Sequence, residues 1–81
     1  MNAKMSNMDD ILLEMKRAEQ LHPDWPSDPV HAAAIVCEES GELVQAALDY
    51  QYGRSPDTSK IRAEAVQTAA MALRLLRNLK E

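Results

Sequence analysis

Four glutamates carry the richest chemistry this chain offers. Glu38, Glu39 and Glu42 stand close together, and Glu64 follows after a gap of 21 residues. On a helix turning about 100° per residue, Glu39 has Ala32, Ile35, Val36, Glu42, Leu43, Ala46 and Tyr50 within about 60°. It therefore sits in the middle of an apolar stripe. Glu42 lies at the stripe's edge, one turn on. Glu38 lies further round, beside His31, Gln45 and Asp49 on a polar strip. Centred on Glu64, the same construction places Lys60, Ile61, Gln67, Thr68, Met71, Leu75, Asn78 and Leu79 within about 60°. Burying an unpaired carboxylate is costly, and several together also repel. Such groups can take up protons, pair with Lys60, Arg62 or Arg74, or bind a divalent cation. Carboxylates projecting inward from facing helices are an established way to build a metal site. Oxygen-only ligands favour Mg²⁺ or Mn²⁺ over zinc. Glu39, Glu42 and Glu64 are therefore the expected centre of a metal cluster.

Positioning them requires helices. Ala, Leu, Met, Glu, Gln, Lys and Arg dominate the sequence, Phe is absent, and there are only 2 glycines. That composition favours helix and leaves little for a turn-rich β fold. The first helix is expected to start near Ser6 or Asn7, with Asp9 or Asp10 three residues on, and to run to about Leu21. Its apolar face would carry Met8, Ile11, Leu12, Met15 and Ala18. The segment His22-Pro23-Asp24-Trp25-Pro26-Ser27-Asp28-Pro29 cannot lie inside a helix, because prolines interrupt it. Asp28 followed by Pro29 reads as a cap and first-turn proline. The second helix should then run to Tyr52 and stop at Gly53. Asp57 or Thr58 can cap the third, which reaches about Leu79. The expected fold is all-α in one domain over residues 1–81, with Met1 to Asn7 frayed. The second and third helices would form a long antiparallel hairpin.

The chain has 81 residues and a formal net charge of −4. So small a domain buries only part of its surface. No basic stripe is present, so a polymeric nucleic acid is not an expected partner. Cys37 is the only cysteine, which fits a reducing cytoplasm. No apolar run reaches the roughly 18 residues of a membrane span, and Met1 to Asp10 lacks the apolar core of a signal peptide. Away from the glutamates, the second helix carries Ala33, Cys37, Val44 and Leu48. The third carries Ala65, Ala69, Ala72 and Leu76. Helices apolar over most of their circumference need partners on two sides. A homodimer or homotetramer completing a four-helix-type bundle is the expected answer.

Trp25, the only tryptophan, could stack a nucleobase or plug the space between the first helix and the hairpin. Tyr50 shares the Glu39 face and is expected in the core. Cys37 is expected to be a buried small apolar residue. His22 and His31 lack metal-binding spacing.

Glu38-Glu39-Ser40-Gly41-Glu42-Leu43 resembles the first motif of the MazG-like all-α nucleoside triphosphate pyrophosphohydrolases. That motif is E-E-x-x-E, followed after a spacer by E-x-x-D. Glu64-Ala65-Val66-Gln67 occupies the second motif, with Gln67 where the family has aspartate. Gln67 can ligate through its carbonyl oxygen but removes one negative charge. The resemblance implies Mg²⁺-dependent hydrolysis of a (d)NTP to its monophosphate and pyrophosphate. It implies Glu39, Glu42, Glu64 and Gln67 as metal ligands and Glu38 or Glu39 as catalytic carboxylates. Lys60, Arg74 and Trp25 are the candidate substrate-binding residues. The rival reading is a non-catalytic helical module, for oligomerisation or nucleotide binding, whose glutamates form structural ion pairs.

Overall fold

The structure is a computed structural model and describes residues 6–80. Among the described residues there are three helices and no strand: α1 (Asn7–Leu21), α2 (Pro29–Gln51) and α3 (Ser59–Asn78). The chain is all-α. The fraying expected for Met1 to Asn7 falls mostly on residues 1–5, outside the described ones; Ser6 and Asn7 instead begin α1.

Local chemistry sets the helix ends. Ser6 Oγ accepts from the Asp9 amide at 3.1 Å, and the Asp9 carboxylate accepts from the Ser6 amide at 3.2 Å. This reciprocal box satisfies two amides that lack helical partners. Asp28 accepts from the Val30 amide at 3.1 Å, with Pro29 preset for the first turn. Past α2, Gly53 takes φ +75°, a left-handed conformation that favours glycine. Thr58 stands at the α3 N-cap without a side-chain hydrogen bond. Asp57 does the work instead, accepting from the Ser59 amide at 3.0 Å.

α3 is the central element. It packs against both other helices, while α1 and α2 make no close backbone contact with each other. The molecule is a slab with extents of 42 × 37 × 21 Å. Arg62 near the start of α3 donates to Asn7 at 2.8 Å and Asp10 at 2.6 Å. Arg77 near its end donates to Glu19 at 3.1 Å. α1 and α3 therefore run in the same direction. Along the other seam, Ala33 lies near Leu75 and Leu76, and Glu42 near Glu64. Gln45 and Asp49 lie near Lys60.

The core is small. Met15, Ala18, Ala70 and Met71 form it, with Ile11, Trp25, Ile35, Val36 and Leu73 packed around them. Four expectations are corrected here. Met8 and Leu12 are exposed, because α1 meets α3 along its Ile11–Met15–Ala18 edge. Tyr50 is exposed because it lies at the end of α2, level with the beginning of α3. Cys37 is exposed because α3 cannot cover the whole apolar circumference of α2. No described helix is long and apolar enough to cross a membrane.

Arg74 is the one buried charged residue among those described, at 4% exposure. Its Nη2 donates to the His22 carbonyl at 2.7 Å, and its guanidinium carbon lies 4.8 Å from the Trp25 ring centroid. Its Nε is buried without a partner. Arg74 thus ties the α1–α2 connection to α3. A charged hydrogen bond and a shielded cation–π contact together contribute about 2–4 kcal/mol. Arg74→Ala is expected to lower unfolding free energy by about that much in urea titrations. Native Trp25 emission should also shift to the red as the ring loses its cover.

Candidate metal centre

Glu39, Glu42 and Glu64 converge between α2 and α3. Each offers a carboxylate oxygen, and these three oxygens lie within 4.8 Å of one another. Glu39 and Glu64 are half-buried, and Glu42 is at the exposed rim. The wheel geometry explains the difference: Glu39 and Glu64 are central to their stripes, whereas Glu42 is turned about 60° away. Glu39 Oε2 and Glu64 Oε2 are buried and have no hydrogen-bond partner. Buried polar atoms are almost always paired, so two orphaned acceptors facing one cluster are unusual.

The positive side chains are largely committed elsewhere. Among the described residues, the ion pairs are Arg17–Glu14, Arg54–Asp49, Arg62–Asp10 and Arg77–Glu19. None reaches the cluster. The Glu39 carboxyl is held above its ordinary value of 4.5, first by lost hydration, then by the charges of Glu42 and Glu64. Glu38 contributes more weakly in the same direction. Glu64 is raised for the same first reason and by Glu42, while Lys60 pulls it back. The donor set fits a hard divalent cation: three carboxylates, two with an unused buried oxygen, and no sulfur or imidazole. A cation at that point would offset the repulsion that adds to desolvation in raising both groups.

The other expected site residues divide into two groups. Lys60 lines a recess of about 180 Å³ together with Glu42, Gln45, Ala46, Asp49 and Glu64. Glu38 is exposed on α2, close enough to influence Glu39. Gln67 is half-buried one turn after Glu64. Arg74 and Trp25 lie elsewhere: ten residues past Glu64, Arg74 is about 15 Å further along α3. It is spent on His22 and Trp25 rather than on the glutamates. Sequence reasoning missed Arg54. Its Nε donates to Asp49 at 2.9 Å, and Gln45 donates to the same oxygen at 3.0 Å. These bonds hold the Asp49 carboxyl below its usual range. The i, i+4 spacing of Gln45 and Asp49 signals half of this arrangement; the Arg54 contact depends on how the chain turns after Gly53.

The raised carboxyls give a signed pH dependence. Glu39 and Glu64 bind protons more tightly in the folded chain than in the unfolded one. Their penalty is absent below the ordinary value of 4.5 and complete above the raised values. Removing one such charge should relieve it. In metal-free buffer, Glu39→Gln is expected to be more stable than wild type at neutral pH, with the gap closing towards pH ~4. Thermal melts of both proteins across that range check this. A marked loss of stability in Glu39→Gln at neutral pH would mean that the carboxylate has a structural cationic partner.

Comparison with protein-family models, curated proteins and solved structures finds no match to this chain.

Proposed function

We propose that Glu39, Glu42 and Glu64 hold a divalent cation, Mg²⁺ or Mn²⁺, and that the chain hydrolyses a (d)NTP to its monophosphate and pyrophosphate. The observation that carries this reading is the inward carboxylate cluster with its two orphaned buried oxygens. The likeness of Glu38–Leu43 and Glu64–Gln67 to the MazG-like motifs supplies the reaction class. Bound there, the cation would offset triphosphate charge and make a coordinated water more acidic.

The chain's own groups divide the remaining work. Glu38, exposed and next to Glu39 in sequence, would take a proton from the attacking water. Lys60, beside Glu42 and Glu64, supplies positive charge for the phosphates. Gln67 adds a neutral carbonyl donor one turn from Glu64, which lowers the charge of the shell relative to an aspartate. The bond between the α- and β-phosphates breaks, water supplies the new oxygen, and pyrophosphate leaves.

The pairing of Ala33 with Leu75, and of Asp49 with Lys60, supports an antiparallel α2/α3 hairpin. We further propose that the outer face of this hairpin packs on a second copy, giving a homodimer or homotetramer in the cytoplasm. Ala33, Val36, Cys37, Ala72, Leu75 and Leu76 line an open apolar groove there. Val44 and Leu76 are 58% and 62% exposed, a poor arrangement for a lone helix pair in water.

Incubation with each (d)NTP and Mg²⁺, with pyrophosphate detected, is expected to show turnover. Glu39→Gln should lower it by roughly 100-fold or more, and Gln67→Asp should tighten metal binding. No pyrophosphate from any nucleotide, together with no rise in melting temperature on adding Mg²⁺ or Mn²⁺, would sink the proposal. A metal-induced rise without turnover would point instead to a nucleotide-binding module. Leu76→Asp is expected to shift the sedimenting species towards monomer while the helical signal persists.

A further inference from the structure

Two recesses border the same flank of α2, one at each end of the glutamate cluster. Near the start of α2, Asp24, Trp25, Pro26, Ser27, His31 and Ile35 contribute to an opening of about 520 Å³. Towards its end, the recess of about 180 Å³ contains Lys60 beside Glu42 and Glu64. On the α2 wheel, Ile35 and His31 lie about 40° and 80° round from Glu39, on the side to which Glu42 turns. The first opening and the rim of the cluster therefore share a flank. Along the axis, Ile35 is about 6 Å and His31 about 12 Å from Glu39. The shorter of these offsets is comparable to the span of a ribose between a base and its first phosphate, and the longer reaches the outer edge of the base.

The chemistry of the two ends differs. The first has two aromatic side chains, Trp25 and His31, with Ile35 beneath, and no lysine or arginine in its lining. It is a shallow depression open to solvent, with Asp24 and Asp28 at its edge. The Trp25 ring is held in place by the Arg74 guanidinium at 4.8 Å. An aromatic ring already fixed by packing makes a stacking platform at little entropic cost. The second end has Lys60 as its cation, while the Asp49 charge is already answered by Arg54 and Gln45. Another opening borders Trp25 and is lined by Ala33 and Leu75. Ala33 lies about 120° from Glu39 in the opposite sense to Glu42, so a ligand at the glutamate rim does not reach it.

We infer that a bound nucleoside triphosphate lies along α2 in one direction, with its base between Trp25 and His31 and its outer phosphates at Lys60. The inference rests on the triphosphate reading of the glutamate cluster. It makes His31 and Trp25 the residues that recognise the nucleoside, and Lys60 a residue that recognises only phosphate.

The sole tryptophan reports on this directly. Wild-type protein with Mg²⁺ is titrated with α,β-imido dNTPs, which resist cleavage, and separately with inorganic tripolyphosphate. The imido nucleotides should change Trp25 fluorescence saturably. Tripolyphosphate should bind, as seen by a rise in melting temperature, without that change. His31 is exposed, so His31→Ala should fold normally; it should weaken nucleotide binding roughly tenfold and leave tripolyphosphate binding intact. Lys60→Ala should weaken both by a similar factor. Tripolyphosphate altering Trp25 as the nucleotides do would overturn the orientation. So would unchanged nucleotide affinity in His31→Ala, or unchanged tripolyphosphate affinity in Lys60→Ala. If neither probe binds with Mg²⁺, the triphosphate reading itself fails. Tripolyphosphate binding with nucleotides silent at Trp25 overturns the orientation alone.

Discussion

Two carboxylates placed against each other in a helix contact are the constraint on which this structure turns. Glu39 and Glu64 occupy positions on α2 and α3 that a stable helix pair would give to leucine or alanine. Each has a buried oxygen with no partner. The cost is desolvation first and the charge of Glu42 second, the same ranking that raises both groups' affinity for protons. A chain that tolerates this must hold its helices together by other means.

Those means are distributed around the seam. Ala32 and Ala46 are buried on α2 on either side of Glu39. α1 is fastened to the opposite flank of α3 at both ends, by Arg62 and by Arg77. These pairs are half exposed, so each contributes little, but their positions fix the direction of α1 relative to α3. Arg74 fastens the connection between α1 and α2 to α3 through the His22 carbonyl and the Trp25 ring. Apart from Arg17, the arginines thus do long-range or turn-closing work, which leaves Lys60 as the cation beside the cluster. What remains is a thin slab whose buried apolar residues are alanines and methionines. Such a core leaves a narrow margin of stability.

The parts of this arrangement that were legible in the sequence are the local and the periodic ones. Ser6 with Asp9, Asp28 with Pro29, and Gly53 each mark a helix end through bonds within a few residues. The inward setting of Glu39 and Glu64 follows from helical geometry alone, as does the rim position of Glu42. Periodicity could not say how wide a strip the neighbouring helix covers. Apolar character alone puts Cys37, Met8 and Leu12 inside, yet α3 and α1 meet along narrower edges. Tyr50 is exposed for a related reason: it sits at the end of α2, where the partner helix is only starting. Arg74 illustrates the remaining gap. Its position on α3 was readable, but its choice of a backbone carbonyl 52 residues away depends on the tertiary fold.

The same cluster that weakens the fold would give a ligand bound there its leverage. Binding free energy at a site absent from the unfolded chain is also folding free energy. A cation between α2 and α3 would answer the two orphaned oxygens and replace carboxylate repulsion with attraction. Its effect would be felt on both helices of the seam at once, because Glu39 and Glu42 belong to α2 and Glu64 to α3. On the proposed metal reading, neutralising Glu39 would have opposite signs in two states: it would relieve the metal-free protein and remove a ligand from the loaded one. A structural ion pair would behave differently, since losing its carboxylate is unfavourable whether or not metal is added. The sign of that one substitution, read with and without a divalent cation, separates a site that stores strain for a ligand from a contact that only holds the helices together.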